Sequence, residues 1–378
     1  MTQPAAWMTG IVADDLTSAA DAAMAFLPRG DRPVILRGQH EPPTARIVAL
    51  DTGSRGADAQ VAAKRTAEAI GALAHRQILL KTVDSTLRGH VRAEIAAAFR
   101  ASNRRGLVVA PAFPAAGRIT RDGIQFVLGA PVDCSPYALD PVHPARTSRI
   151  ADLIDPALGP AVVLRPDSPV PDAAPVLILD AASQSELNHQ VARLRNPAQM
   201  LWVGSPGMAL ALAELAPQGA DRPQQPTPAQ RVLVVAGSAN PATHIQCDHL
   251  AAAGIPVLDN LSASVAADAP AICLAAPRTR QSMAPLANLV DRAAKALLRG
   301  QFDAVIATGG ETMAAILERL AVTQFDLVRH LEPGFPAGIV RISGRTLWVA
   351  MKASGFSTAR TLEQAVNILT GQTESSDA

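Results

Sequence analysis

The sequence predicts an α/β protein of two domains, each a mostly parallel sheet covered by helices, and three observations carry this. Short β-branched or aliphatic runs alternate with Ala-rich amphipathic segments along the chain, the pattern of parallel strands joined by covering helices. The length of 378 residues exceeds the size at which a single core stops growing. A stretch rich in Pro, Gln and Gly without apolar periodicity, APQGADRPQQPTPAQ at 216–230, reads as a linker. The expected division is a domain at 1–215, the linker, and a second domain at 231–378.

In the first domain, strands are expected at 9–13, 33–36, 46–50, 77–81, 106–110, 161–164, 176–179 and 200–203, where the runs are short, apolar and bounded by turn residues. Helices are expected at 18–26, 58–74, 90–101, 183–195 and 207–215. After the linker, 231–236 opens a second series, with strands near 255–258, 271–275, 304–308 and 346–351. Helices fill the gaps near 241–253, 281–299, 312–320 and 358–369. No internal repeat stands out, and the closing GQTESSDA reads as a frayed polar tail.

Composition excludes several classes. With 34 Lys+Arg against 33 Asp+Glu there is no net field for a polyanion, and one Tyr with three Trp leaves few platforms for base stacking, so nucleic acid is not an expected partner. No segment approaches the roughly 20 apolar residues that span a bilayer, and Asp14 and Asp15 interrupt the first hydrophobic run, so the chain is expected to be neither exported nor membrane-embedded but cytoplasmic. Cys134, Cys247 and Cys273 lack CxxC spacing and suggest neither a disulfide framework nor a zinc site. There is no HExxH, no GxSxG elbow and no GxGxxG after the first strand, which disfavours a zinc enzyme, an α/β-hydrolase and a dinucleotide oxidoreductase.

Ligands of open α/β sheets gather at the carboxyl ends of strands, so the polar residues that follow each strand are the candidates. Strand one runs into Ala13-Asp14-Asp15-Leu16-Thr17-Ser18. Thr17 or Ser18 could cap the next helix and one Asp could favour its N-terminus, yet capping needs only one such residue. Asp51-Thr52-Gly53-Ser54-Arg55 and Lys81-Thr82-Val83-Asp84-Ser85-Thr86-Leu87-Arg88-Gly89 follow two further strands. Arg55 and Arg88 could hold an acidic substrate by bidentate pairing, or neutralise Asp14, Asp15 and Asp84 in a structural network. The fourth loop, APAFPAAGR at 110–118, would on its own be a rigid connection.

In the second domain Gly237-Ser238-Ala239-Asn240-Pro241 enters a helix with Asn240 as a natural N-cap, and Thr308-Gly309-Gly310-Glu311-Thr312 repeats the strand-to-helix turn. A glycine pair lets backbone approach a ligand, and a helix N-terminus attracts anions. Gly-Gly turns are common, however, and the Gly-Lys-Ser/Thr of a Walker loop is missing. Lys352-Ala353-Ser354-Gly355-Phe356 could supply a third wall.

ADDLTSAAD at 13–21, KTVDSTLRGH at 81–90, APAFPAAGR at 110–118, GSANPAT at 237–243 and TGGET at 308–312 occur in this order, and together they resemble the four-carbon acid sugar kinase family. The resemblance spans nearly the whole chain, and DSTLRG with APAFPAAGR is its most specific part. It implies an N-terminal domain for the sugar acid, a C-terminal domain for ATP, an active site in the cleft between them, and phosphorylation of the terminal hydroxyl of a four-carbon aldonate. Substrate contacts fall on Asp14, Asp15, Arg55, Lys81, Asp84, Ser85, Thr86 and Arg88, and nucleotide contacts on Ser238, Gly309, Gly310, Glu311, Thr312 and Gly355. D-threonate or D-erythronate is the first expectation, with a 3-oxo-tetronate 4-kinase as the alternative and a non-catalytic sugar-acid sensor as the rival from another class.

In the expected mechanism Arg55 and Arg88 clamp the carboxylate, Asp15 deprotonates the hydroxyl with Asp84 in reserve, and Mg²⁺ arrives with ATP. The sequence assigns no protein ligand to the metal and leaves self-association open. The chain departs from the family pattern at Ser18, at Ser354 and Ser357, and at His90 and Arg92, which are expected to add bulk beside the acid.

Overall fold

The computed structural model describes residues 7–38, 41–140, 143–171, 175–219, 226–238, 240–259, 269–276, 284–352 (without the side chains of 284 and 285) and 358–372. The chain divides into two compact units, Met1–Arg222 and Pro223–Ala378.

The first unit is built on strands β1 (Thr9–Ala13), β2 (Val34–Arg37), β3 (Ile47–Asp51), β4 (Ile78–Thr82) and β5 (Gly106–Ala110), a small hairpin layer β6 (Arg118–Arg121), β7 (Ile124–Val127) and β8 (Ala130–Pro131), and then β9 (Ala161–Leu164), β10 (Val176–Leu179) and β11 (Met200–Gly204). Eight of them form a sheet in the order β2-β3-β1-β4-β11-β5-β10-β9, parallel at every pairing. Helices α1 (Leu16–Met24), α2 (Ala59–Leu73), α3 (Val91–Ser102), α4 (Gln184–Arg193) and α5 (Pro206–Leu215) connect and cover it. Parallel strands are covered on both faces and therefore read as continuous apolar runs. All five residues of β1, β3, β4 and β5 are buried.

Helix α2 shows why these segments fold locally. Asp58 accepts from the backbone N–H groups of Gln60 and Val61, both at 2.9 Å, which caps the free first turn. Its buried positions Ala62, Thr66, Ala69, Ile70 and Leu73 recur at helical spacing. The core on this face of the sheet joins Ile70 and Leu73 to Val12, Val48, Leu79, Ile95 and Val203.

The second unit has β12 (Val232–Ala236), β13 (Val257–Leu258), β14 (Ala271–Ala275), β15 (Ala304–Thr308), β16 (Gln324–Glu332), β17 (Phe335–Ile342) and β18 (Arg345–Lys352), with α6 (Pro241–Ala252), α7 (Ala284–Leu298), α8 (Gly310–Arg319) and α9 (Thr361–Leu369). The order β13-β14-β12-β15-β18 is parallel and β17 and β16 extend it antiparallel. Its core gathers Val232, Val234, Ile306, Trp348, Ala350, Leu362 and Val366 with two buried free thiols, Cys247 and Cys273, whose sulfurs lie 3.9 Å apart.

Both sheets are the predicted α/β type, and the strands expected from apolar runs are present within a residue or two. The β6–β8 layer and the β16–β17 hairpin were not expected. The β6–β7 turn, Asp122-Gly123, lies in the left-handed region, as the twist of a two-residue hairpin demands, and so does Ser343-Gly344 between β17 and β18. The β16–β17 turn is Pro333-Gly334, with Gly334 at φ 73°. Helix α1 also starts earlier than 18, because Asp15, and neither Thr17 nor Ser18, is its N-cap.

Candidate functional site

Parallel pairing puts the carboxyl ends of neighbouring strands on one edge. Ala13 of β1 is level with Asp51 of β3, and Val12 with Lys81 of β4. The segments after these three strands are therefore neighbours in space. The loop after β3 is tied to the loop after β1 through Thr52 N–H to Ala13 carbonyl (2.9 Å), and through Ser54 and Arg55 N–H to Asp14 carbonyl (2.9 and 3.2 Å).

That tie aims Arg55 at both aspartates. Its Nε and Nη2 donate to Asp14 Oδ2 and Oδ1 at 2.7 and 3.0 Å, and its Nη1 lies 2.6 Å from Asp15 Oδ2. Asp15 Oδ1 meanwhile accepts from Ser18 N–H at 2.7 Å and caps α1. The two neighbours end in different electrostatic states. Burial acts to raise the Asp14 pKa, but the charges of Arg55 and Lys81 outweigh it and hold this carboxyl below its ordinary value. For Asp15 burial wins: it outweighs Arg55, is reinforced by the Asp14 charge, and pushes the pKa up. Asp14 is thus a fixed anion, and Asp15 the better proton acceptor.

Lys81 is a correction to the sequence reading. Its side chain is fully buried and pairs with Glu94 of α3 at 3.1 Å, with Nζ also donating to Thr82 carbonyl at 2.6 Å. Glu94 is held in turn by Ser54 Oγ at 2.9 Å. Lys81 therefore acts on the site through its charge and does not reach out to a substrate.

The Asp84–Gly89 loop folds around Asp84. Oδ1 accepts from Thr86 N–H (2.9 Å) and Thr86 Oγ1 (2.8 Å), while Oδ2 faces Arg88 Nε (2.8 Å) and Nη2 (2.7 Å). Leu87 and Gly89 take positive φ values of 58° and 94°, which turns the chain tightly enough for this closure. Asp84 is thereby spent on its own loop, and Thr86, 1% exposed, faces inward with it. The expectations that Asp84 stands in reserve as a base and that Thr86 touches substrate do not match this geometry. Ser85 is half-buried at the tip of the loop, its carbonyl accepting from Gln125 Nε2 at 2.8 Å.

Several residues that sequence reasoning passed over complete the arrangement. Asp140 Oδ2 accepts from Arg88 Nη1 at 2.9 Å, Tyr137 stacks 5.1 Å from the Arg88 guanidinium, and Arg118 Nη2 donates to the Tyr137 hydroxyl at 3.0 Å. His143 Nε2 donates to Arg55 carbonyl at 2.6 Å and His90 Nε2 to Ala57 carbonyl at 2.7 Å, the two rings meeting edge to face. His90 is therefore a brace for the Arg55 loop. Arg92 is exposed on α3, and its expected bulk beside the acid does not follow from this position.

Asp51 yields a pH prediction. Burial raises its pKa to about 7 against the stabilising Gly53 N–H, with Asp15 and Asp14 adding repulsion. Between the ordinary carboxylate pKa and about 7 the folded chain holds a proton that the unfolded chain has released, so this group's contribution to stability falls as pH rises across that window and stays low above it. Asp51→Asn keeps an acceptor for Gly53 N–H and should raise the stability of the first unit at pH 8 by about 1–3 kcal/mol, with the gain disappearing near pH 4. Urea unfolding at both pH values measures this, and a gain independent of pH would contradict it.

In the second unit the loops after β12 and β15 meet. Ser238 N–H donates to Thr308 Oγ1 at 3.2 Å, and Asn240 caps α6 through Ala242 N–H at 2.9 Å. A Cβ on Gly237 would collide with the hydroxyl and methyl of Thr312, so glycine is needed for the two loops to approach. Gly309, at φ 97°, precedes α8 without a side-chain cap. Thr312 is buried against Gly237, Glu311 is exposed, and Gly309 and Gly310 are half-buried. Gly355, with Ser354 and Ser357, lies outside the described residues.

Each of the two α/β units gathers polar residues at the carboxyl ends of its strands, the design of a protein that binds small ligands there. Known proteins agree with that design. Residues 9–212 match the family model of a sugar-binding N-terminal domain, and residues 263–362 that of a nucleotide-binding C-terminal domain. A D-threonate kinase of Bordetella bronchiseptica is 31% identical over 95% of this chain and 97% of its own length. A D-threonate kinase of Salmonella typhimurium is 32% identical over 63% of this chain and 60% of its own length, and a 3-oxo-tetronate kinase of Methylobacterium radiotolerans is 25% identical over 95% and 99%. The crystal structure of Haemophilus influenzae protein HI1011 shares the fold with a TM-score of 0.74 at 19% identity, over 95% of this chain and all of that one. The chain belongs to the four-carbon acid sugar kinase family.

Proposed function

We propose that this chain transfers the γ-phosphoryl group of ATP to the terminal 4-hydroxyl of D-threonate or D-erythronate. The observation that carries the reading is Asp15: a half-buried carboxylate with raised basicity, fixed by the α1 N-terminus and Arg55, in the unit that matches a sugar-binding domain. Asp15 takes the proton of the hydroxyl as its oxygen bonds to the γ-phosphorus and the bond to the β-phosphate oxygen breaks. Arg55 keeps Asp15 oriented. Its nitrogens are committed to Asp14 and Asp15, so Arg88 is the arginine we assign to the acid's carboxylate.

Ser238 and the Gly309–Thr312 turn are proposed to cradle the nucleotide, since the uncapped N-terminus of α8 offers backbone N–H groups to phosphate. Among the described residues no group of three His, Cys, Asp or Glu is placed to hold a metal. Mg²⁺ brought in on the phosphates of ATP would supply charge neutralisation for the transfer. Among the described residues no helix is long and apolar enough to cross a membrane, and we place the enzyme in the cytoplasm with its ATP.

A coupled ATP-to-ADP assay with Mg²⁺ across D- and L-threonate, D- and L-erythronate and 3-oxo-tetronate tests the proposal. Turnover of D-threonate or D-erythronate above the others is expected. Turnover confined to 3-oxo-tetronate would transfer the assignment to the 3-oxo acid.

A further inference from the structure

A small acid needs a cation, and the cations nearest the strand ends already have partners. Arg55 is held on three nitrogens by Asp14 and Asp15, and Lys81 is buried with Glu94. Arg88 is held differently on its two sides. Nε and Nη2 face Asp84, a partner four residues away that belongs to the same folded loop. Nη1 is held by Asp140, 52 residues away, at 2.9 Å.

The segment that brings Asp140 there is anchored on either side, by Tyr137 against the cluster of Leu87, Val127, Val132 and Ala145 and by His143 on the Arg55 carbonyl, while the Asp140 side chain between them keeps partial exposure. It follows a short 3-10 turn, Pro136–Leu139, in which no residue is buried, and Leu139 is 84% exposed. Tyr137 of this turn rests on the same Arg88 guanidinium. Asp140 Oδ1 accepts from His143 N–H at 2.8 Å, leaving Oδ2 for Arg88. The side chains of Arg88 and Asp140 keep 31% and 23% exposure, so a ligand in solvent can reach this pair.

Resting on the kinase reading above, we propose that Asp140 is an affinity-setting residue that mimics the substrate: its carboxylate occupies Arg88 Nη1 until the carboxylate of the four-carbon acid displaces it. Exchanging one carboxylate for another on the same guanidinium yields little net binding free energy. A simple carboxylate therefore gains almost nothing at this site. An acid that also brings hydroxyl groups toward Asp15 gains the additional contacts and is selected. The competing charge lowers the affinity of every carboxylate by the same amount, so that only an acid with those further contacts is held at working concentration.

The test compares wild type with Asp140→Asn and Asp140→Ser, by steady-state kinetics with the turned-over acid and by calorimetric titration of that acid and of glycolate, which lacks the distal hydroxyls. Asparagine removes the charge and keeps the shape; serine guards against a retained hydrogen bond, and thermal unfolding confirms that both variants are folded. Expected is a fall of about fivefold or more in KM and Kd for the acid in both variants, with KM for ATP unmoved and glycolate becoming a measurable competitive inhibitor. Unchanged or weaker binding of the acid in the folded variants would overturn the inference and make Asp140 a brace for Arg88. If wild type turns over none of the acids, the kinase reading fails first and this inference falls with it.

Discussion

Asp15→Asn should lower kcat about a thousandfold, within the roughly 10²–10⁴ range that a positioned general base contributes, while leaving the protein folded. Asparagine is as good an N-cap as aspartate, so the Oδ1 acceptor for Ser18 N–H is retained and α1 keeps its start. What is lost is the proton acceptor, whose basicity burial and the Asp14 charge raise. KM for the acid should move far less than kcat, because the loss belongs to the transition state. A variant with ordinary kcat would reduce Asp15 to a helix cap, and a large loss of stability would mean that its bond to Arg55 is structural. Parallel kinetics and thermal unfolding separate the three outcomes.

The largest stability effect is expected at Glu94. Lys81 and Glu94 are 0% and 5% exposed and 3.1 Å apart. Glu94→Ala leaves a buried ammonium without its counter-ion, which should cost about 3–5 kcal/mol in the first unit. Ser54 Oγ also loses its acceptor, loosening the loop that presents Arg55. The double variant Lys81→Met, Glu94→Leu removes both charges and should recover much of the loss, since replacing a buried pair by apolar groups is often close to neutral. Urea unfolding followed through buried Trp202 in a Trp348→Phe background reads the first unit. A loss below about 1 kcal/mol, the value of an exposed pair, would contradict a desolvated pair.

The strands that build both sheets were legible because a fully covered parallel strand must be apolar along its whole length. The β16–β17 hairpin was not: Arg329, His330 and Glu332 break its apolar run, and β17 carries Pro336 and Gly338. Its signal lay in the Pro333-Gly334 turn, as that of β6–β7 lay in Asp122-Gly123. The loops of the candidate site were legible for a similar reason, since parallel topology sends every strand's carboxyl end to one edge. Which way each side chain points was harder. Lys81 lies within β4 and alternation turns it toward α3, so the Glu94 partner could have been sought on the helix that follows. Tyr137, Asp140 and His143 left no local trace, because they reach Arg88 and Arg55 across 49 to 88 residues of chain.

The two arginines show what sequence chemistry could and could not decide. Either role, substrate clamp or neutraliser of aspartates, was open from composition alone. The geometry commits Arg55 to Asp14 and Asp15 and leaves Arg88 on a partner that another carboxylate can replace.

The central claim is phosphoryl transfer to the terminal hydroxyl of a four-carbon acid, and the most direct measurement is ³¹P NMR of the product formed from D-threonate or D-erythronate with MgATP. The account predicts a new phosphomonoester resonance split into a triplet by the two protons of the terminal carbon. A doublet would place the phosphate on a secondary hydroxyl, and the appearance of inorganic phosphate alone would contradict transfer to the acid.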